Sequence, residues 1–112
     1  MINQGFLLLV PFPFSDQSGK KVRPVIVISN NEFNEYSEDV IVVGVTSNIT
    51  KDKYTINLAN NDLDDGKLFA PCCVKVENIL KLDKELIIKK IGSIKKEKLS
   101  EIIDKIIKII SI

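Results

Sequence analysis

Two stretches of this chain, Val25-Ile26-Val27-Ile28 and Val40-Ile41-Val42-Val43-Gly44-Val45, are almost unbroken runs of β-branched residues, each too short for a stable helix. Branching at Cβ costs side-chain freedom in a helix and packs well on a pleated surface. Because no polar residue alternates with them, they predict strands covered on both faces. Pro24 is expected at the first position of its strand, where no ladder donor is lost. The flanking segments suit a sheet. Phe6 to Val10 reads as a strand opened by Gly5 and met by Pro11, and Tyr54 to Leu58 as an edge strand. Leu68 to Val76 reads as a strand despite Pro71, and Leu86 to Ile91 as one that Gly92 ends. Between them, Ser15 to Lys21 is a loop and Asn60 to Gly66 a turn rich in residues that tolerate unusual backbone angles. Asn30 to Asp39, with Phe33 and Tyr36 three apart, suits one short helical turn.

The period changes near Lys96. Leu99, Ile102, Ile103, Ile106, Ile107 and Ile110 recur at helical spacing, so an amphipathic helix closes the chain and covers the sheet. Ile is a poor choice for a helix that must stand alone, which favours a core face over a free surface helix. The expected fold is mainly β (α+β): a small antiparallel barrel or curled sheet, with a short helical turn and a C-terminal amphipathic helix. At 112 residues this is one domain, residues 1–112, with a single core.

Composition excludes several functions. Lys and Arg number 16 against 15 Asp and Glu, a net charge of +1, so nucleic acid or anionic membrane cannot be held by bulk charge and any such contact is local. There is no histidine, which removes His-based triads and the commonest metal ligand. Cys72 and Cys73 are adjacent, without C-x-x-C spacing, and read as inert strand residues of a reducing cytosol. Asp62, Asp64 and Asp65 lack the downstream Glu of a calcium loop. No metal or cofactor is therefore expected. The first apolar run is broken by Pro11 and Pro13, which fits neither a signal peptide nor a membrane span.

One order of residues is more specific. Gly5 opens the first strand, Pro11-Phe12-Pro13-Phe14-Ser15-Asp16 follows, then Gly19-Lys20-Lys21, Arg23-Pro24-Val25-Ile26-Val27-Ile28-Ser29 and Val45-Thr46-Ser47. Leu82-Asp83-Lys84, an apolar strand, Gly92 and the terminal helix complete it. This order resembles the PemK/MazF family of toxin endoribonucleases over nearly the whole chain. The resemblance implies an SH3-like barrel with a C-terminal helix, shared with CcdB. It also implies a cytoplasmic homodimer that a cognate antitoxin neutralises, and metal-independent cutting of single-stranded RNA to 2′,3′-cyclic phosphate and 5′-hydroxyl ends. By position, Arg23 matches the catalytic arginine and Thr46 the catalytic hydroxyl residue, with Ser47 beside it in the RNA groove. Lys75 and Glu77 fall where some members place a basic residue two before an acid as an acid/base pair, although those members have Arg at the first position. Ser15, Lys20 and Lys21 would form a loop that contacts RNA phosphates.

The chemistry asks for similar parts. A ribose 2′-OH attacking its own 3′-phosphate must lose its proton, the transition state must be neutralised, and the leaving 5′-oxygen must be protonated. Arg23, the sole arginine, suits the second task, since its planar fork can hold two phosphate oxygens while it is a poor proton donor at neutral pH. Each residue has a plainer reading as well. Arg23 could pair with Asp16 or Glu77, Thr46-Ser47 could be a strand-terminal turn, and Lys75 and Glu77, two apart on one face of a strand, could form a surface ion pair. Two other functions remain open: a barrel without catalysis that acts as a binding module, and a CcdB-like toxin directed at a protein such as DNA gyrase.

Overall fold

A computed structural model describes residues 1–11 and 22–112. Among these residues, seven strands form one sheet: β1 (Phe6–Pro11), β2 (Val22–Val27), β3 (Asp39–Thr46), β4 (Thr55–Leu58), β5 (Leu63–Gly66), β6 (Cys72–Asp83) and β7 (Lys89–Ile94). Their spatial order is β4-β6-β3-β2-β1-β7-β5, and every pairing is antiparallel. The helices are α1 (Asn31–Tyr36) and α2 (Lys96–Ile110).

β4 and β5 stand at opposite ends of this order, yet only Ala59–Asp62 separates them in the chain, folded as a single 3-10 turn at Asn60–Asp62. Four residues reach at most about 14 Å, so the sheet must curl until its edges approach. The result is a mainly antiparallel half-barrel with a C-terminal helix, as expected.

The two β-branched runs do lie in the middle of the sheet, and the alternation of their side chains divides the core in two. Leu7, Ile26, Val43, Val45 and Val74 point to one side, where Ile102 of α2 joins them. Leu8, Val10, Val25, Val27, Val40 and Val42 pack on the other. Most of each apolar run is thus buried whichever way its side chains point, while Ile28 and Ile41 are half-buried. On α2, Leu99, Ile106 and Ile109 pack beside Ile102, while Ile107, at the margin of the predicted stripe, and Ile110, at the helix end, stay exposed.

Several boundaries differ from expectation. β2 begins at Val22, so Pro24 is its third residue, but its neighbour β3 pairs only from Val25 onward. Pro24 therefore lies where the sheet continues on one side only. β6 starts at Cys72, after Pro71, and runs on to Asp83. The segment Asn60–Gly66 is a 3-10 turn followed by the edge strand β5. Gly92 does not end a strand. It sits inside β7, facing Leu7 on one side and Gly66 on the other. A Cβ there would meet the Asp65 carbonyl oxygen at 2.4 Å, so the glycine is needed for close approach of two backbones.

α1 forms where a short turn was expected, with the Asn30 side chain accepting from the Phe33 N–H at 2.8 Å. Its buried side chain is Asn34, not an aromatic. Asn34 Nδ2 donates to the carbonyls of Ser29 at 3.0 Å and Ile2 at 3.2 Å, and Ser29 Oγ accepts from Ile41 N–H at 2.9 Å. This network ties the N-terminus, the end of β2 and the start of β3 together, which steadies the two strands that carry the site.

Candidate active site

The β2–β3 register pairs Val27 with Val42, Ile26 with Val43 and Val25 with Gly44. Arg23 on β2 and Thr46 on β3 each lie two residues past its last pair. Residues two apart on a strand share a face, so both belong to the side that holds Val25, Val27, Val40 and Val42, just past the end of that apolar cluster. β6 contributes Lys75, which is paired with Gly44. The glycine has no side chain to fill the space between these polar groups. A cavity of about 220 Å³ remains there, lined by Arg23, Gly44, Val45, Thr46, Asn48, Thr50, Lys75 and Asn78.

Among the described residues, these walls carry two cations and no carboxylate, an arrangement suited to an anion. Thr46 Oγ1 accepts the Asn48 N–H at 3.1 Å. The strand-terminal turn and the site are therefore one feature, because a hydroxyl engaged as acceptor keeps its own proton to donate. Lys75 Nζ donates to Thr50 Oγ1 at 2.8 Å and faces Asp52 Oδ2 at 3.5 Å. The Thr55 hydroxyl and the Tyr54 backbone N–H, with Lys75 beside them, hold the Asp52 carboxyl below the usual carboxylate range.

The sequence candidates are distributed unevenly. Arg23, Thr46 and Lys75 meet at this cavity. Ser47 is exposed and does not line it. Glu77 lies on a neighbouring cavity with Asp52, Lys53, Tyr54 and Ile109. The shared face expected for Lys75 and Glu77 is broken because the register jumps from Gly44–Lys75 to Val43–Ile79, which leaves three residues of β6 without partners on β3. The ion partner of Lys75 is accordingly Asp52. Ser15, Lys20 and Lys21, and the alternative Arg23 partner Asp16, lie outside the described residues.

Asn48, Thr50, Asn78 and Asp52 were not singled out from the sequence. The only signal for the first two was a run of Thr, Ser and Asn after an apolar strand, which is also what any turn looks like. Cys72 and Cys73 are free thiols, both buried. Burial, with Cys73 adding to it, pushes the Cys72 thiol up, as an inert thiol requires. Among the described residues, no three His, Cys, Asp or Glu side chains group as a metal site would need, and no helix is long and apolar enough to cross a membrane.

Fold and cavity together define a small half-barrel protein with an anion-receptive pocket at the end of its central strands. The chain belongs to the PemK-like, MazF-like toxin family of type II toxin-antitoxin systems, whose sequence model spans residues 3–110. Solved structures share the fold. The MazE-MazF structure from Deinococcus radiodurans superposes with a TM-score of 0.80 at 18% identity, covering 99% of this chain and 97% of the other. An endoribonuclease from a mycobacterial species gives 0.75 at 18% identity, over 96% and 88%. A mycobacterial endoribonuclease bound to its cognate antitoxin gives 0.74 at 15% identity, over 96% and 93%. At these identities the likeness is one of fold.

Proposed function

We propose that this toxin is a metal-independent endoribonuclease, acting on single-stranded RNA by attack of a 2′-OH on the adjacent phosphate. The observation that carries the reading is the meeting of Arg23, Thr46 and Lys75 at one cavity whose described walls hold no carboxylate. The family and the endoribonucleases of the same fold support it.

The guanidinium of Arg23 forks onto two non-bridging phosphate oxygens and neutralises the charge that builds as the 2′-oxygen adds. The Thr46 hydroxyl, already accepting from Asn48 N–H, donates to phosphate or ribose. Lys75 supplies a second positive charge and a proton for the departing 5′-oxygen, since an ammonium is only a donor. The P–O5′ bond breaks as the P–O2′ bond forms, leaving a 2′,3′-cyclic phosphate and a 5′-hydroxyl. No proton acceptor of the protein stands on the described walls, so in this reading the 2′-OH proton passes to solvent or to an oxygen of the RNA. Ser47 at the rim, and Ser15, Lys20 and Lys21, would contact the RNA outside the scissile phosphate.

The working form in this reading is a cytoplasmic homodimer whose RNA groove a cognate antitoxin covers. The exposed Ile79, Ile107 and Ile110 offer apolar surface for such contacts. Light scattering at micromolar concentration tests the dimer. Incubating the purified chain with mixed RNA in excess EDTA, then mapping the new ends, tests the activity. Cyclic phosphate ends at recurring short sequences are expected. Loss of cutting on chelation, restored by magnesium, contradicts the mechanism, and no cutting of any RNA favours a binding module or a CcdB-like action on a protein target.

A further inference from the structure

Of the two cations on the described cavity wall, Lys75 is the one on a flexible four-carbon stem, and an ammonium is a point charge with no geometry of its own. Something else must set where it stands. The β4–β6 register pairs Thr55 with Lys75, and the chain just before Thr55 folds back in a turn in which Asp52 Oδ1 accepts the Tyr54 N–H at 2.9 Å. That turn fixes the carboxylate beside Lys75, with Oδ2 at 3.5 Å from Nζ, while Nζ reaches on to Thr50 Oγ1 at 2.8 Å. Thr50 and Lys75 both line the cavity, and Asp52 does not.

We infer that Asp52 is a positioning residue, whose carboxylate holds the Lys75 ammonium and, through it, Thr50 on the wall of the phosphate cavity. Its activity arm rests on the ribonuclease reading above, and its structural arm does not. The pair is too open to matter much for stability, since the two side chains keep 22% and 48% of their exposure. Its consequence is where the charge sits when the phosphate changes geometry, which belongs to the chemical step more than to binding.

The test uses Asp52→Asn, which keeps the oxygen that accepts Tyr54 N–H and removes the charge, together with Lys75→Met and the double variant. On RNA, Asp52→Asn should lower kcat about tenfold with KM within about threefold. The double variant should match Lys75→Met, because once the ammonium is gone the carboxylate has nothing to place. The Thr50 methyl resonance should move in each single variant, and the double should again coincide with Lys75→Met. An unchanged melting temperature is expected throughout. Effects that multiply in the double variant, or an Asp52→Asn protein with wild-type kcat and Thr50 resonance, overturn the inference. Should the wild-type chain cut no RNA, the ribonuclease reading falls, and the Thr50 resonances decide the positioning claim by themselves.

Discussion

Arg23 on β2 and Thr46 on β3 border the same cavity, each two residues past the last β2–β3 backbone pair, Val25–Gly44. They are 23 residues apart in the chain, and only the β2–β3 register brings a guanidinium and a hydroxyl to one side of the sheet. A slip of one residue would send one of them to the opposite face.

Arg23→Lys therefore separates two accounts of the residue. If the planar fork is needed at a phosphate, Arg23→Lys should lose cleavage nearly as badly as Arg23→Ala, on the order of 100-fold to 1,000-fold, while both keep wild-type melting temperatures. If the arginine only braces a strand edge, lysine should retain activity and alanine should melt earlier.

Glu77→Gln is expected to change the cleavage rate by less than about threefold, because the carboxylate borders a different cavity from Arg23 and Thr46. A loss of two orders of magnitude in single-turnover assays would return Glu77 to the acid/base role.

Gly92→Ala should destabilise the fold, since the added methyl meets the Asp65 carbonyl oxygen at 2.4 Å and neither backbone can withdraw without opening the β5–β7 pairing. Overpacking of this kind costs about 1–3 kcal/mol or more, readable as a lower urea midpoint with an unchanged slope. An unaltered midpoint would mean that this edge of the sheet is more yielding than its geometry implies.

The central strands and the terminal helix were legible because their patterns are local: Val25–Ile28 and Val40–Val45 are β-branched at nearly every position, and Leu99, Ile102 and Ile106 keep a helical period. Gly92 was misread because a glycine that ends a strand and one that admits a neighbouring backbone look alike in one dimension. The second half of β6 was hidden by its bulge, where Lys75 and Glu77 depart from simple alternation. For the site, Arg23 and Thr46 were named from the order of residues around them. Asp52 and Thr50 were not, since a turn aspartate becomes a partner of Lys75 only when β4 pairs with β6.

Cys72 and Cys73 should resist alkylation in the native protein. Burial raises the Cys72 thiol, so the reactive thiolate is scarce at neutral pH and becomes accessible on unfolding. Iodoacetamide labelling followed by mass spectrometry should show both thiols free below the unfolding transition and modified above it. Rapid labelling of the folded chain at pH 7 would contradict the packing described for β6.

The most direct test of the central claim replaces one sugar. An RNA cut by the wild-type chain is synthesised again with a single 2′-deoxy residue on the 5′ side of the mapped bond, and both are incubated side by side in excess EDTA. If the 2′-oxygen is the nucleophile that Arg23, Thr46 and Lys75 assist, cleavage at that bond should vanish while binding persists, and the all-ribose substrate should yield a 2′,3′-cyclic phosphate. Undiminished cutting of the 2′-deoxy substrate would contradict the mechanism assigned to this cavity.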